Sequence, residues 1–282
     1  MREPLERRRT DRGEVRMIQT GKYTMLKRLG VLMALDAGTS IFETIRFLVW
    51  PWLINTGSVG AAAAYASSAD SANLYLSWAV DALRLLVCVH TLMSLYRLTG
   101  LHKSFKMAQL WYFLRTLSLL PQVLLSTFFS YLYPDRDSLL STPFLLTLTI
   151  VFLVILCFFF LGAFLFLSLG NRAILSAGAE LLESFGEYDL AKKNCRCGNS
   201  LLRFSLALLV TALSATLLTA GMLILTRVYL VPLEEYVRGL LVLLVLVLIV
   251  LAVLFWAVLL VFRSLAAMSM FRTYRAIEGL TK

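Results

Sequence analysis

The sequence predicts an all-α protein: a polytopic membrane helix bundle of about six transmembrane helices, with both termini cytoplasmic. Three observations carry that expectation. Hydrophobic residues make up 59% of the 282 positions, only 16% are charged, and the mean hydropathy is +0.78. Soluble domains run near half apolar and a quarter charged. The apolar residues also come in runs, and the stretches 151–169 and 239–262 hold no charge. About 20 such residues, rising ~1.5 Å each, cross ~30 Å of hydrocarbon. The third observation is the placement of the bases.

Six spans follow, at 29–54, 74–96, 107–133, 143–169, 201–231 and 236–262. With these, twenty-one Lys and Arg fall on one side and only Arg136, Arg227 and Arg238 on the other. The basic side is cytoplasmic by the positive-inside rule. The expected organisation is a basic cytoplasmic segment (1–28), a transmembrane domain (29–262) and a cytoplasmic tail (263–282). The formal charge of +10 is absorbed by this asymmetry, and no nucleic-acid-binding motif accompanies it. The leader is too long for the n-region of a signal peptide, and the apolar segment after it is charged, so no cleavage is expected. The plasma membrane is the expected location and the lipid bilayer the expected partner, with membrane or cytoplasmic proteins as further candidates.

Each element has its own justification. The first span, "ALDAGTSIFETIRFLVWPWLI", carries Asp36, Thr39, Ser40, Glu43 and Arg46 within about a third of its circumference. Its length and aromatic cap favour crossing the membrane over lying on it. Residues 55–73 form a Gly/Ala/Ser-rich outer connection. In the second span Asp81, Arg84, Cys88 and Thr91 share a face, and His90 points nearly the opposite way. The third span contributes Arg115. The fourth is uncharged and continues as a helical extension into the longest cytoplasmic connection, 170–200, which breaks around Gly186 and is too small for a core of its own. The fifth carries a small-residue ridge, Ala207, Thr211, Ala215 and Thr219, suited to close helix contact. The sixth, nearly uniform Leu and Val, is expected to face lipid.

Asp36, Glu43, Arg46, Asp81, Arg84, His90 and Arg115 form the candidate polar cluster within the membrane. Its carboxylates and guanidiniums number three of each, the balance a buried cluster needs, because unpaired charge in hydrocarbon costs several kcal/mol. Counting inward from the outer ends sets Arg46 level with Asp81 at ~12 Å and Glu43 level with Arg84 at ~16 Å. Asp36 is expected near Arg115. Cys195 and Cys197, in "NCRCGN", are candidate reactive thiols, since Lys193 and Arg196 beside them could favour the thiolate. No metal site or cofactor is expected, because two ligands do not close a zinc site and no other spacing fits one.

Catalytic signatures do not close either. "EEYVR", Glu234 to Arg238, is one residue short of the EExxxR spacing of CAAX-type intramembrane proteases, and no His follows it. No Walker loop, Rossmann glycine pattern or rhomboid-type serine motif is present. Two functional classes remain. One is a transporter-like protein, or the membrane subunit of a transport complex, with a polar pathway in spans one to three. The alternative is a non-catalytic accessory, assembly or sensor protein whose intramembrane charges are structural ion pairs. A water-accessible cavity at these charges favours the first, and a closed set of ion pairs the second.

Overall fold

The computed structural model describes residues 23–41, 44, 79, 82–95, 97, 102–132, 143–228 and 234–281. Among them the backbone is helical apart from the turn after Ser184 and the residue before the last helix, and no strand occurs. The helices are α1 (23–41), α2 (Ala82–Leu95), α3 (His102–Leu132), α4 (Pro143–Ser184), α5 (Tyr188–Leu223) and α6 (Glu235–Thr281). A π-helical segment, Ile224–Val228, follows α5. The protein is an all-α bundle with several long apolar helices.

Contacts fix the register of neighbouring helices. Tyr112 on α3 meets Asn171 on α4, and Ser104 meets Glu180, so α3 and α4 run antiparallel. The pairs Cys157–Thr216 and Ser168–Ser205 do the same for α4 and α5. Asn194 meets Thr273 while Phe204 meets Phe255, which sets α5 antiparallel to α6. Residues 30 and 40 of α1, and residue 44 beyond it, touch Phe271, Arg263 and Trp256 in descending order along α6. The described chain ends, residues 23 and 281, therefore lie at the same end of the bundle. The α4–α5 turn joins them there, with Tyr23 edge-on to Phe185 at 6.0 Å.

That turn is specified by one residue. Gly186 takes φ 85°, the left-handed conformation that glycine adopts without a Cβ clash. Its N–H bonds the Glu183 carbonyl at 3.0 Å and the Glu187 N–H bonds Leu182 at 2.9 Å. These are the paired capping bonds of a Schellman stop, which satisfy the last carbonyls of α4.

Helix length and burial divide the molecule into two halves. By rise per residue, α4 is ~63 Å, α5 ~54 Å and α6 ~70 Å long, so each outreaches a ~30 Å hydrocarbon layer. All three are long and apolar enough to cross a membrane, and α5 does so together with the π-helical residues after it. Yet their most apolar windows are only 22%, 11% and 0% buried. In water such surface would drive collapse or aggregation, so lipid is its matching solvent. As expected from its sequence, the apolar run of α6 faces outward, with Leu240, Leu243, Leu246, Val250 and Val253 all exposed.

Packing is tightest in the other, more polar half. Leu26 and Leu29 of α1, Phe105 of α3, Ile174, Leu175 and Leu182 of α4, Ala191 and Leu201 of α5, and Ala266, Met270 and Ile277 of α6 are essentially inaccessible. Residues 170–200 contribute to this core together with α1, α3 and α6, and residues 263–281 continue α6 through it. One expectation is corrected on α5: of the small-residue ridge only Ala215 is buried, and Thr219 is exposed. The buried seam is instead Ala191, Asn194, Gly198, Leu201, Ser205 and Leu208, whose alternating three- and four-residue spacing keeps one stripe facing its neighbours.

Candidate functional site

Asp36 lies where α1, α2 and α3 meet. It is 6% exposed, and guanidiniums from two other helices approach the same carboxylate oxygen. Arg115 Nη1 is 3.4 Å from Asp36 Oδ1 and Arg84 Nη1 is 3.6 Å from it. Arg84 also lies 3.5 Å from Thr39 Oγ1, one turn along α1. These distances are longer than the 2.7–2.9 Å of a tight charge-assisted bond, so one carboxylate is shared between two cations. A cleft lined by Leu32, Asp36, Arg84, Leu85, Cys88, Tyr112, Arg115 and Thr116 opens beside them. Its volume is about 20 Å³, room for roughly one water.

Local helix geometry explains who attends. Arg84 and Cys88 are four residues apart on α2 and share its inward face, with Cys88 buried against the cleft. His90 is two residues beyond Cys88, about 200° around the helix. It is exposed, and its carbonyl accepts a bond from Ser94 Oγ at 2.9 Å. His90 thus lies apart from the cleft that Asp36, Arg84 and Arg115 line. The structure does bring Asp36 to Arg115. Glu43, Arg46 and Asp81 lie outside the described residues, and with them the expected pairs Arg46–Asp81 and Glu43–Arg84.

A neighbour that the sequence does not reveal completes this layer. Arg263, expected in the tail, is 1% exposed. Its Nη1 donates to Ser40 Oγ at 2.7 Å, and Ser40 Oγ in turn donates to the Asp36 backbone carbonyl at 2.8 Å. The rings of Phe164 and Trp256 cover the guanidinium at 5.0 and 5.8 Å, within cation–π range. The charges of Asp36 and Arg115 both act on it. Trp256 itself donates from Nε1 to Thr44 Oγ1, three residues beyond α1, at 2.8 Å. The sequence signal for Arg263 is weak because it directly follows the last apolar residue of its run, where a solvated boundary base is the default.

The two candidate thiols lie away from the Asp36 layer, on α5. Cys195 and Cys197 sit in the polar first half of α5, before its apolar run begins at Leu201. Partial burial, with the carboxylates of Glu183 and Glu180, pushes the Cys195 thiol up, and only Arg172 opposes the shift. Burial pushes Cys197 up as well, and its Sγ lies 3.9 Å from the Phe262 carbonyl. Lys193 and Arg196 are not among the charges that act on either thiol. No group of three or more metal-ligating side chains occurs among the described residues.

The chain matches no protein-family model, no curated protein and no solved structure. Its functional reading therefore rests on the geometry alone.

Proposed function

We propose that this is a six-span integral protein of the plasma membrane, accessory, assembly-related or sensing in role, whose Asp36 layer locks its helices together. Both termini and the polar half of the bundle face the cytoplasm. The observation that carries this reading is Asp36: buried, shared by cations from two other helices, and set in a cleft with room for about one water. A substrate pathway needs a hydrated route of larger bore, whereas a lock needs only paired charges in fixed register. The orientation is supported by Lys27, Arg28, Lys106, Lys192, Arg196 and Arg272, which all lie toward the end that holds residues 23 and 281.

A transport role is the second reading. It is favoured by the partial exposure of Arg84 and Arg115, 22% and 18%, where they line the cleft. Cys88 distinguishes the two. With Cys157, Cys195 and Cys197 replaced by Ser, a membrane-impermeant thiol reagent is applied from either side of sealed vesicles. A lock leaves Cys88 unmodified until the protein is denatured. Modification under native conditions reveals a water path to Asp36 and overturns the lock.

A further inference from the structure

The outward surface of the bundle changes from polar to apolar at different levels on different helices. On α5 the exposed residues from Asp189 to Arg203 are polar apart from Cys195, and the exposed face turns apolar only at Leu206 and Val210. On α4 the exposed residues between Arg172 and the Gly186 turn are Arg172, Glu180, Glu183 and Ser184. Contacts place the two deepest bases, Arg172 and Arg203, near one level. Phe204 stacks on Phe262 of α6 at 5.3 Å, and Cys197 Sγ lies 3.9 Å from the Phe262 carbonyl. Arg172 lies across Gly198, where a Cβ would be 3.3 Å from its Cγ. The two arginines thus flank the level of Phe262.

On three other helices the apolar surface continues past that level, toward the end that holds residues 23 and 281. Beyond Phe262 on α6, Leu265 and Met268 are exposed before the first exposed base, Arg272. On α3, Tyr112 is bound to Asn171, the residue before Arg172. Leu110 and Met107 are exposed beyond it, and then Lys106. On α1, Ser40 meets Arg263, and Leu35 and Val31 are exposed before Arg28. By rise per residue, Lys106, Arg272 and Arg28 stand about 9, 15 and 18 Å nearer that end than the α4–α5 arginines. The polar edge is therefore stepped, and it lies deepest on the α4–α5 side. Snorkelling along an arginine stem recovers part of such a step. The remainder leaves charge in hydrocarbon, which is costly, unless the leaflet thins to meet it.

We propose that the α4–α5 side of the bundle is a docking surface for phospholipid headgroups, drawn inward from their ordinary level, with Arg172 and Arg203 holding their phosphates. Charge complementarity selects this occupant. Both arginines are exposed at the depth where the rest of the bundle offers lipid an apolar face, and the arginine fork takes two phosphate oxygens at once. Against α1, α3 and α6 the leaflet keeps its usual thickness, so the thinning is one-sided. The inference rests on α4, α5 and α6 spanning a membrane. It does not rest on the Asp36 lock, whose side chains hold no headgroup.

Spin labels on the full-length protein in phosphatidylcholine vesicles test the step. All four cysteines are replaced by Ser, and one Cys is introduced at a time. Collisions with oxygen mark lipid, and collisions with a water-soluble nickel chelate mark water. Asn199 on α5 is level with Leu265 on α6 to within about a turn. The label at Asn199 should report water, and labels at Leu265 and Met268 should report lipid. Equal surroundings at Asn199 and Leu265 overturn the step, and water at Leu265 and Met268 makes that face a protein-docking surface instead. Arg172→Gln with Arg203→Gln should shift a label at Leu206 from headgroup-like toward hydrocarbon-like contact, and Lys at both positions should shift it less. An unmoved Leu206 label overturns the role of the arginines. If the double Gln variant does not fold, Arg203→Gln alone is read in the same way. A label at Val250 separates the premises: nickel contact there refutes the spanning reading, whereas lipid at Val250 with a level edge refutes only the docking surface.

Discussion

At the scale of single residues, Asp36 links three helices through one carboxylate. Removing its carboxylate takes away a shared anion from Arg84 and Arg115. Asp36→Ala is expected to cost about 2–3 kcal/mol, below the usual range for a broken buried pair because both guanidiniums are partly hydrated. The yield of monodisperse protein after detergent extraction reads that loss. Neutralising Arg115 as well, in Asp36→Asn with Arg115→Gln, should recover part of it, as coupled neighbours do. Cys195 gives a pH-dependent prediction. Its thiol is pushed up, so the reactive thiolate is scarcer at neutral pH than for an ordinary cysteine and grows in only as pH rises beyond the usual thiol range. Alkylation at pH 7 should run slower than that of a free cysteine. A faster reaction would mean that Lys193 and Arg196 control the site after all.

Single elements show what could be read from the sequence and what could not. The apolar runs of α4 and α6 were legible because lipid exposure demands uninterrupted apolar residues. The end of α4 was legible because only glycine takes φ 85° without strain. Gly186→Ala should therefore cost about 1 kcal/mol, visible as a lower unfolding temperature. Gly170 was not legible. A Cβ there would lie 2.9 Å from the Tyr112 ring, whose hydroxyl is bound to Asn171, the very next residue. Gly170→Ala should push α3 away from α4 at about 1–3 kcal/mol, a loss that Tyr112→Phe would not repair because the ring itself obstructs. Nothing local in the sequence marks that close approach, which depends on α3. The same holds for Arg263. Its burial comes from Phe164, Trp256 and Ser40, residues that lie between seven and 223 positions away.

For the whole molecule, the division into a lipid-facing half and a tightly packed polar half makes topology the decisive measurement. A reporter active only in the cytoplasm should function after Lys282 and after Lys193, and fail near Ala64. Activity at Ala64 would remove the first two spans from the membrane and leave α1 on its surface. The polar half also answers a question of size. No single connection is long enough to fold, but helix ends from four parts of the chain pool their apolar stripes into one core. The 47-residue α6 has a mechanical consequence. It is one unbroken rod gripped near Arg263, with about 42 Å of length on one side of the grip and about 27 Å on the other. Such a rod is a lever. When lateral pressure or a neighbour tilts the long arm, the short arm swings the opposite way by about two-thirds of the displacement, carrying Met270, Thr273 and Ile277 through the inner core. The exposed apolar run and the packed core are thereby joined mechanically by a single helix.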